Sequence, residues 1–207
     1  MGEQPPPDTQ SMQQTNPKQI ALFGGAFDPP HVGHAAAIRR IVQSARFDEI
    51  WVVPTSIRPD KHSVASDTDR KAMCKLLLEH FFSVEDPEQG RRAERSIHLA
   101  THLLDRPGQY PTTFDELVYL RDTYPSVAFT VAIGSDEAAI LNRWHRVKEL
   151  MRTTPFFVFP RPEHISSTRA RELLAQEASV AHLVPEPIVR YIQNHHLYRK
   201  EAAHGQH

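Results

Sequence analysis

The feature that most constrains the fold of this 207-residue chain is an apolar run that leads into a glycine turn. Residues 20–23 read IALF, residues 24–34 read GGAFDPPHVGH, and residues 35–42 read AAAIRRIV. The apolar run is typical of a buried strand, and the segment rich in alanine and isoleucine is typical of a helix. The stretch therefore predicts a strand, a tight turn and a helix, which together form the basic unit of an α/β protein.

Two histidines at the predicted helix entrance indicate an anion site. His31 and His34 are three residues apart and share a helix face, while Gly33 between them carries no bulky side chain. The N–H groups and the dipole of a helix N-terminus favour anions, so we interpret the pair as donors to a polyphosphate. Zinc binding is the alternative, but no further ligands lie nearby in the sequence and no His-Glu-x-x-His motif occurs.

The glycine pair before the histidines is weak evidence when taken alone. Gly24 and Gly25 would let the backbone approach a ligand or adopt a positive φ. The pair matches neither the Gly-x-Gly-x-x-Gly dinucleotide pattern nor the phosphate loop that ends in Gly-Lys-Ser/Thr. What favours a ligand site over an ordinary turn is the set of residues at fixed offsets behind the pair, which are Asp28, Pro29, His31, Gly33 and His34.

A second motif near the other end of the chain, at residues 165–171, also indicates an anion. Ser166 or Ser167 is placed to cap a helix, which explains one hydroxyl. Capping does not explain three hydroxyls in a row followed by Arg169 and Arg171, because the dipole disfavours cations in a first helical turn. A bound anion would resolve this conflict, and arginine is well suited to grip phosphate oxygens.

Strand-like and helix-like segments alternate along the chain, which predicts a doubly wound parallel sheet in a single domain. Such sheets bind ligands at the carboxyl ends of their strands, where the first motif would lie. The strand candidates are Ile20–Phe23, Glu49–Val53, Ser96–Ala100, Val127–Ile133 and Pro155–Phe159. The helix candidates are His34–Ala45, Asp67–Phe82, Thr113–Thr123, Ser135–Asn142, Val147–Met151, Ser167–Ala175 and Pro185–His195.

Composition sets the bounds of the domain and the broad class of protein. Residues 1–18 and 200–207 are polar and are expected to be flexible tails around a domain at 19–199, and the charged segment 83–95 is expected to be a surface loop. A net charge of −1 argues against a general nucleic-acid binder. No run is apolar enough for a membrane helix, no secretory signal is visible and the single cysteine, Cys74, excludes an internal disulfide, so we expect a cytoplasmic protein.

The two motifs together carry a resemblance to a known family. Gly24-Gly25-x-Phe27-Asp28-Pro29-x-His31-x-Gly33-His34 with Ile165-Ser166-Ser167-Thr168-x-x-Arg171 resembles the nucleotidyltransferases related to the His-x-Gly-His class I synthetases. Within them, the chain most resembles the nicotinate-mononucleotide adenylyltransferase family of NAD synthesis over about residues 19–199. Further matching pieces follow in order, which are Val52-Val53-Pro54 with Lys61, Thr113-Phe114-Asp115, Gly134-Ser135-Asp136 with Trp144, and the closing segment from Tyr191 to Tyr198.

The resemblance implies a Rossmann-like fold and transfer of the adenylyl group of ATP to a pyridine mononucleotide. It implies that His31, His34, Thr168 and Arg171 hold the ATP phosphates and that Mg²⁺ arrives with ATP, with no metal held by protein side chains. Lys61 would reach a phosphate from a loop, although a solvated surface lysine is the alternative. The other residues implied in ATP binding are Gly24, Gly25, Phe27, Gly134, Asp136 and Ser167.

For the acceptor, the resemblance implies three residues at the mononucleotide side of the site. Trp144 would stack on the pyridine ring, Thr113 would contact its carboxylate, and Asp28 would lie beside the mononucleotide. Core packing is the alternative role for Trp144. For Asp136, capping of the next helix is an alternative that is compatible with nucleotide binding.

Two departures from the family pattern keep other functions open. Only Glu163 and His164 separate Pro162 from Ile165, where the family has a longer segment with another strand, and Glu116 replaces a usual threonine. One alternative is a related adenylyl- or cytidylyltransferase with another phosphorylated acceptor, and another is a nucleotide-binding regulator without catalysis. The sequence leaves open the preference for nicotinate over nicotinamide mononucleotide and whether the chain forms a homo-oligomer.

Overall fold

A computed structural model describes residues 16–56, 65–84, 96–105, 111–160 and 164–199 of the chain. Its strands are β1 (Lys18–Gly25), β2 (Glu49–Pro54), β3 (Ile97–Leu99), β4 (Val127–Gly134) and β5 (Phe156–Phe159). Its helices are α1 (Val32–Gln43), α2 (Asp67–Val84), α3 (Thr113–Thr123), α4 (Ser135–Ala139), α5 (Val147–Thr153), α6 (Ser167–Ala175) and α7 (Glu186–Asn194), with a 3₁₀ turn at Leu141–Arg143.

The five strands form one parallel sheet in the order β3-β2-β1-β4-β5. The chain runs outward from β1 through β2 to β3 and then crosses back to place β4 on the other side of β1. The order of the strands therefore reverses between β1 and β4, which is where sheets of this kind bind ligands. This topology confirms the predicted doubly wound α/β fold.

Both faces of the sheet are buried, because alternate residues of β1 point to opposite sides. Ala21 and Phe23 pack into the core beneath α1, α2, α6 and α7. Ile20 and Leu22 pack into the second core, to which α3 contributes Leu117 and Leu120 and α5 contributes Leu150. The two motifs of the sequence, which begin α1 and α6, therefore lie on one face of the sheet, and α3 lies on the other.

The predicted elements are all present, and the differences are confined to their ends. β1 begins at Lys18, the last residue that the sequence assigns to the N-terminal tail, because Lys18 pairs with Val127 of β4. The helix predicted to reach Asn142 ends at Ala139 and gives way to the 3₁₀ turn. Residues 1–15, 85–95 and 200–207 lie outside the described residues, so the predicted tails and most of the predicted loop stay predictions.

Candidate active site

A cavity of about 790 Å³ opens over the carboxyl ends of β1 and β4 and reaches across both faces of the sheet. We call its two parts the phosphate end and the aromatic end. The phosphate end lies between α1 and α6 and includes Gly33, His34, Ser167, Thr168 and Arg171. The aromatic end lies beside α3 and includes Thr113, Phe114, Glu116, Trp144 and His145.

The two motifs meet at the phosphate end, as the sequence predicts. The Ser167 hydroxyl donates to the carbonyl oxygen of Pro29 at 2.9 Å, and Nη1 of Arg171 donates to the carbonyl oxygen of Asp28 at 2.7 Å. These bonds join residues that are 138 and 143 positions apart in the chain. The start of α6 is thereby fixed against the turn that follows β1, and a single anion could contact both.

His34 is held in one orientation by its neighbours. Its Nδ1 accepts a hydrogen bond of 3.1 Å from the backbone N–H of His31, and its ring lies 4.6 Å from the ring of Phe27. Because Nδ1 accepts, the proton of the neutral imidazole lies on Nε2, which makes Nε2 the donor nitrogen of this ring. His34 therefore lines the cavity as an oriented donor.

His31 has a different position from the one that the spacing suggests. Its side chain is fully buried, and its ring lies 3.7 Å from that of His34. The cavity is lined by His34 and Gly33 and does not include His31. His31 thus supports the ring of His34 and donates its backbone N–H to it, and a direct contact of His31 with phosphate stays a prediction.

Gly33 is required by the protein itself and not only by a ligand. A Cβ at this position would lie 2.9 Å from Nδ1 of His31 and 3.1 Å from Cγ2 of Ile165. The glycine therefore allows the second motif to pack directly onto the first. Gly24 and Gly25 were expected to approach a ligand closely or to adopt a positive φ, and they end β1 without a positive φ. The left-handed residue of the turn is Phe27, with a φ of 49°.

The start of α1 offers fewer amide donors than the sequence suggests, because the protein uses some of them internally. The N–H of Val32 donates to the carbonyl oxygen of Leu183, and the N–H of His34 donates to that of His31. The start of α6 is capped by Ser166, whose hydroxyl accepts from the N–H of Arg169. Capping thus accounts for one hydroxyl of the second motif, and Ser167 and Thr168 remain at the cavity.

Asp28 is the point at which four parts of the chain meet. Its carboxylate is 1% exposed and accepts from the N–H of Ala65 at 2.9 Å and from the hydroxyl of Tyr198 at 2.7 Å. Arg171 lies 3.6 Å from the other carboxylate oxygen. Burial, and then the neighbouring Asp28 carboxylate, raise the pKa of the Tyr198 phenol well above its usual range, so Tyr198 stays a donor.

This arrangement gives Asp28 a structural role beside the one that the sequence suggests. Its carboxylate is engaged by donors of the protein, so its first effect is to hold the turn, Arg171 and the C-terminal segment together. A contact of Asp28 with the mononucleotide stays a prediction. Arg70 also holds this turn in place. Its side chain is fully buried, and its Nη1 donates to the carbonyl oxygens of Ala26 and Thr55.

The remaining predicted residues divide between those that line the cavity and those that do not. Gly134 lies at the cavity, but Asp136 is exposed in the first turn of α4, and Glu137 lines the cavity in its place. The N-cap of α4 is Gly134, so the capping role considered for Asp136 is wrong. Lys61 lies outside the described residues, and its contact with phosphate stays a prediction.

At the aromatic end, Trp144 combines the two roles that the sequence left open. Its ring is half-buried against Phe156, with 6.4 Å between the ring centroids, and it also lines the cavity. Thr113 is the first residue of α3, directly after the N-cap Thr112. An aromatic ring and a threonine at a helix start are suited to hold a flat ring that carries a polar substituent.

The architecture defines a nucleotidyltransferase, and comparison with known proteins bears this out. A family model described as cytidylyltransferase-like matches residues 22–173. Probable nicotinate-nucleotide adenylyltransferases from Oceanobacillus iheyensis and Myxococcus xanthus are 30% and 32% identical over 199 and 193 residues. Each alignment covers 87% of this chain, and the two alignments cover 97% and 94% of the respective relatives. The chain therefore belongs to the cytidylyltransferase-like family and, within it, to the nicotinate-nucleotide adenylyltransferases.

The fold agrees with this membership. The structure of Plasmodium falciparum nicotinic acid mononucleotide adenylyltransferase complexed with NaAD matches with a TM-score of 0.71 at 21% identity. That match covers 87% of this chain and 97% of the other. Across the described residues, no helix combines the length and the apolar composition that crossing a membrane requires.

Proposed function

We propose that this chain transfers the adenylyl group of ATP to nicotinic acid mononucleotide and so makes nicotinic acid adenine dinucleotide and pyrophosphate for NAD biosynthesis. The observation that carries the proposal is the junction of the two motifs at the phosphate end, through Ser167 with Pro29 and Arg171 with Asp28. The relatives named above support the choice of acceptor. We propose the cytoplasm as the location.

ATP would lie with its phosphates at the phosphate end. Arg171 offers a guanidinium that is already fixed by the Asp28 carbonyl oxygen, and Thr168 lies beside it, with its hydroxyl oxygen 3.4 Å from Nη2 of Arg171. His34 lines the same end of the cavity from the first turn of α1. Donors fixed in advance in this way stabilise charge without reorganising during the reaction, which is the main source of catalysis in phosphoryl transfer.

The reaction needs no strong base, because the attacking group is already an anion. An oxygen of the acceptor's 5′-phosphate forms a bond to the α-phosphorus of ATP, and the bond from that phosphorus to the bridging β-phosphate oxygen breaks. The electron pair leaves with pyrophosphate. His34 and Arg171 would hold the phosphate oxygens as negative charge shifts toward the leaving group, and the cavity walls would align the two phosphates.

Magnesium would enter with ATP and not on a protein site. Among the residues that the structure describes, no group of three or more histidine, cysteine or carboxylate side chains could hold a metal ion. The donors at the phosphate end are an imidazole, hydroxyls and a guanidinium, which suit phosphate oxygens. Mg²⁺ prefers phosphates and water to an all-protein cage, and it would neutralise part of the triphosphate charge when bound.

The direct test is a pyrophosphate-release assay with ATP and nicotinic acid mononucleotide. We expect acceptor-dependent release with ATP and little with CTP. We expect His34→Ala to lower kcat by about 10²–10³, the usual effect of removing one donor to the transition state. A folded wild-type protein that binds ATP but releases no pyrophosphate with a pyridine mononucleotide would overturn the proposal, and near-normal turnover by folded His34→Ala would contradict the role of His34.

A further inference from the structure

A buried glutamate lies next to a histidine at the aromatic end, where the acceptor ring would bind. The side chain of Glu116 is 8% exposed, and its Oε1 lies 3.3 Å from Nε2 of His102. Glu116 lines the cavity together with Thr113 and Trp144. A glutamate is almost never this deeply buried unless it is paired, so its position at a ligand cavity calls for a reason.

Helix α3 does not need this carboxylate for its own stability. Its N-terminus is already served by Asp115, which accepts from the backbone N–H and the hydroxyl of Thr112 and so closes a capping box. Those hydrogen bonds hold the pKa of Asp115 below its usual range. Glu116 instead lies on the buried side of the helix, next to Leu117 and the cavity.

The pair is close but does not satisfy itself. Within the described part of the chain, neither Oε1 of Glu116 nor Nε2 of His102 makes a hydrogen bond, although both atoms are buried. A buried carboxylate oxygen without a donor is costly. Oε1 faces His102 and is closed to solvent, so a ligand in the cavity would meet the poorly solvated Glu116 carboxylate as a whole. That carboxylate would favour a ligand that brings an N–H group and would repel a ligand that brings a second carboxylate.

The other charged groups at the aromatic end do not cancel the effect of the Glu116 carboxylate on an incoming ligand. The guanidinium of Arg146 lies 4.0 Å from the centre of the Phe114 ring and forms an ion pair with Glu149, so its charge already has a partner. His145 lines the cavity and is exposed to solvent, which weakens the field of any charge it carries. Glu116 is therefore the buried anion that an incoming acceptor ring would meet.

We propose that Glu116, paired with His102, sets how this enzyme discriminates between the carboxylate and the amide form of a pyridine mononucleotide. The inference rests on the proposed function and refines its acceptor. Compared with a neutral side chain at this position, Glu116 narrows the preference for nicotinic acid mononucleotide that the proposed function assigns, because it repels the ligand carboxylate and favours the N–H groups of the nicotinamide amide. His102 is a positioning residue, which orients the Glu116 carboxylate and, when protonated, offsets part of its charge.

The test is the ratio of kcat/KM for nicotinic acid mononucleotide to kcat/KM for nicotinamide mononucleotide, measured in the pyrophosphate-release assay. We expect Glu116→Gln, which keeps the shape and removes the charge, to raise this ratio by about tenfold or more. We expect His102→Gln to lower the ratio, because glutamine cannot take up a proton and so cannot offset any of the charge of the Glu116 carboxylate. Asp122→Asn is the matched control, since Asp122 is an exposed acid of the same helix.

The outcomes separate this inference from the proposed function. Absence of turnover by wild-type protein with either mononucleotide would overturn the function and the inference with it. Turnover with a ratio that stays within twofold of wild type in both Glu116→Gln and Glu116→Thr would overturn the inference alone. If a variant turns over too slowly for kinetics, calorimetry measures its Kd for each of the two mononucleotides. A ratio of these Kd values within twofold of the wild-type ratio would likewise overturn the inference. A shift of equal size in Asp122→Asn would also overturn it, because bulk charge would then explain the effect.

Discussion

The phosphate end and the aromatic end of the cavity are built in different ways. At the phosphate end, backbone carbonyl oxygens accept from Ser167 and Arg171, and a backbone N–H fixes the ring of His34. At the aromatic end, the walls are half-buried side chains such as Phe114 and Trp144, and the buried Glu116 and His102 side chains each leave an atom without a hydrogen bond. The phosphate end, which would bind the triphosphate that nucleotidyltransferases have in common, is thus fixed by the backbone. The aromatic end, which would select the acceptor, depends on single side chains.

The largest effect in this comparison is expected from Gly33→Ala at the phosphate end. The added methyl would lie 2.9 Å from Nδ1 of His31 and 3.1 Å from Cγ2 of Ile165, so the His31 ring that supports His34 must shift and Ile165 must give way by a few tenths of an ångström. We expect kcat/KM to fall by about 10² with either mononucleotide and stability to fall by about 1–3 kcal/mol. Steady-state kinetics and urea unfolding measure the two effects.

Gly24→Ala is the matched control for that experiment. A Cβ at Gly24 would make only ordinary contacts, at 3.9 Å to Thr55 and to the carbonyl oxygen of Val53. We expect a clearly smaller loss of activity and of stability than for Gly33→Ala. Equal losses in the two variants would show that the close packing of the motifs at Gly33 is not what matters.

At the aromatic end, we expect Trp144→Leu to act on one substrate only. Loss of the ring should raise KM for the mononucleotide by about tenfold, because stacking and contact area are lost. The KM for ATP should stay within about twofold, since the phosphate end is held by its own hydrogen bonds. Trp144→Phe keeps an aromatic ring, so its KM for the mononucleotide should lie between the values of the wild type and Trp144→Leu. A rise in the KM for ATP as large as the rise in the KM for the mononucleotide would show that the two ends of the cavity do not bind their ligands independently.

The smallest effect is expected from Tyr198→Phe, which removes one hydrogen bond to Asp28 behind the phosphate end. We expect a loss of about 1–2 kcal/mol in the free energy of unfolding, because the bond is made to a buried carboxylate. We also expect a several-fold fall in kcat, because Asp28 helps to hold Arg171, which would bind the phosphates. Tyr191→Phe is the control, since that hydroxyl donates to Asp69 and not to Asp28. A Tyr198→Phe protein as stable as wild type would show that Asp28 does not depend on the C-terminal segment.

Much of the fold could be predicted because its signals are local. The apolar runs that became β1 and β4 are nearly continuous, as buried parallel strands require, and α3 has the predicted bounds of Thr113–Thr123. The ends of elements depend on tertiary contacts, which is why β1 extends to Lys18 and α4 stops at Ala139. The sequence indicates an element more reliably than it indicates where the element ends.

The site shows the same division between local and distant signals. The two motifs could be brought together from the sequence because each carries its own anion-binding pattern. The pairing of Tyr198 with Asp28 could not, because the two residues are 170 positions apart and a closing tyrosine has many possible partners. The burial of His31 and the contact of Glu116 with His102 depend on how helices pack, and the sequence shows Glu116 only as a departure from a family pattern.

We infer that one dinucleotide spans the cavity from the phosphate end to the aromatic end. A crystal structure of the protein with nicotinic acid adenine dinucleotide would test this inference. We expect the phosphates to contact His34 and the start of α6 near Arg171, and the pyridine ring to lie against Trp144. A pyridine ring bound at the phosphate end, or phosphates bound away from both His34 and Arg171, would show that the inferred binding mode is wrong.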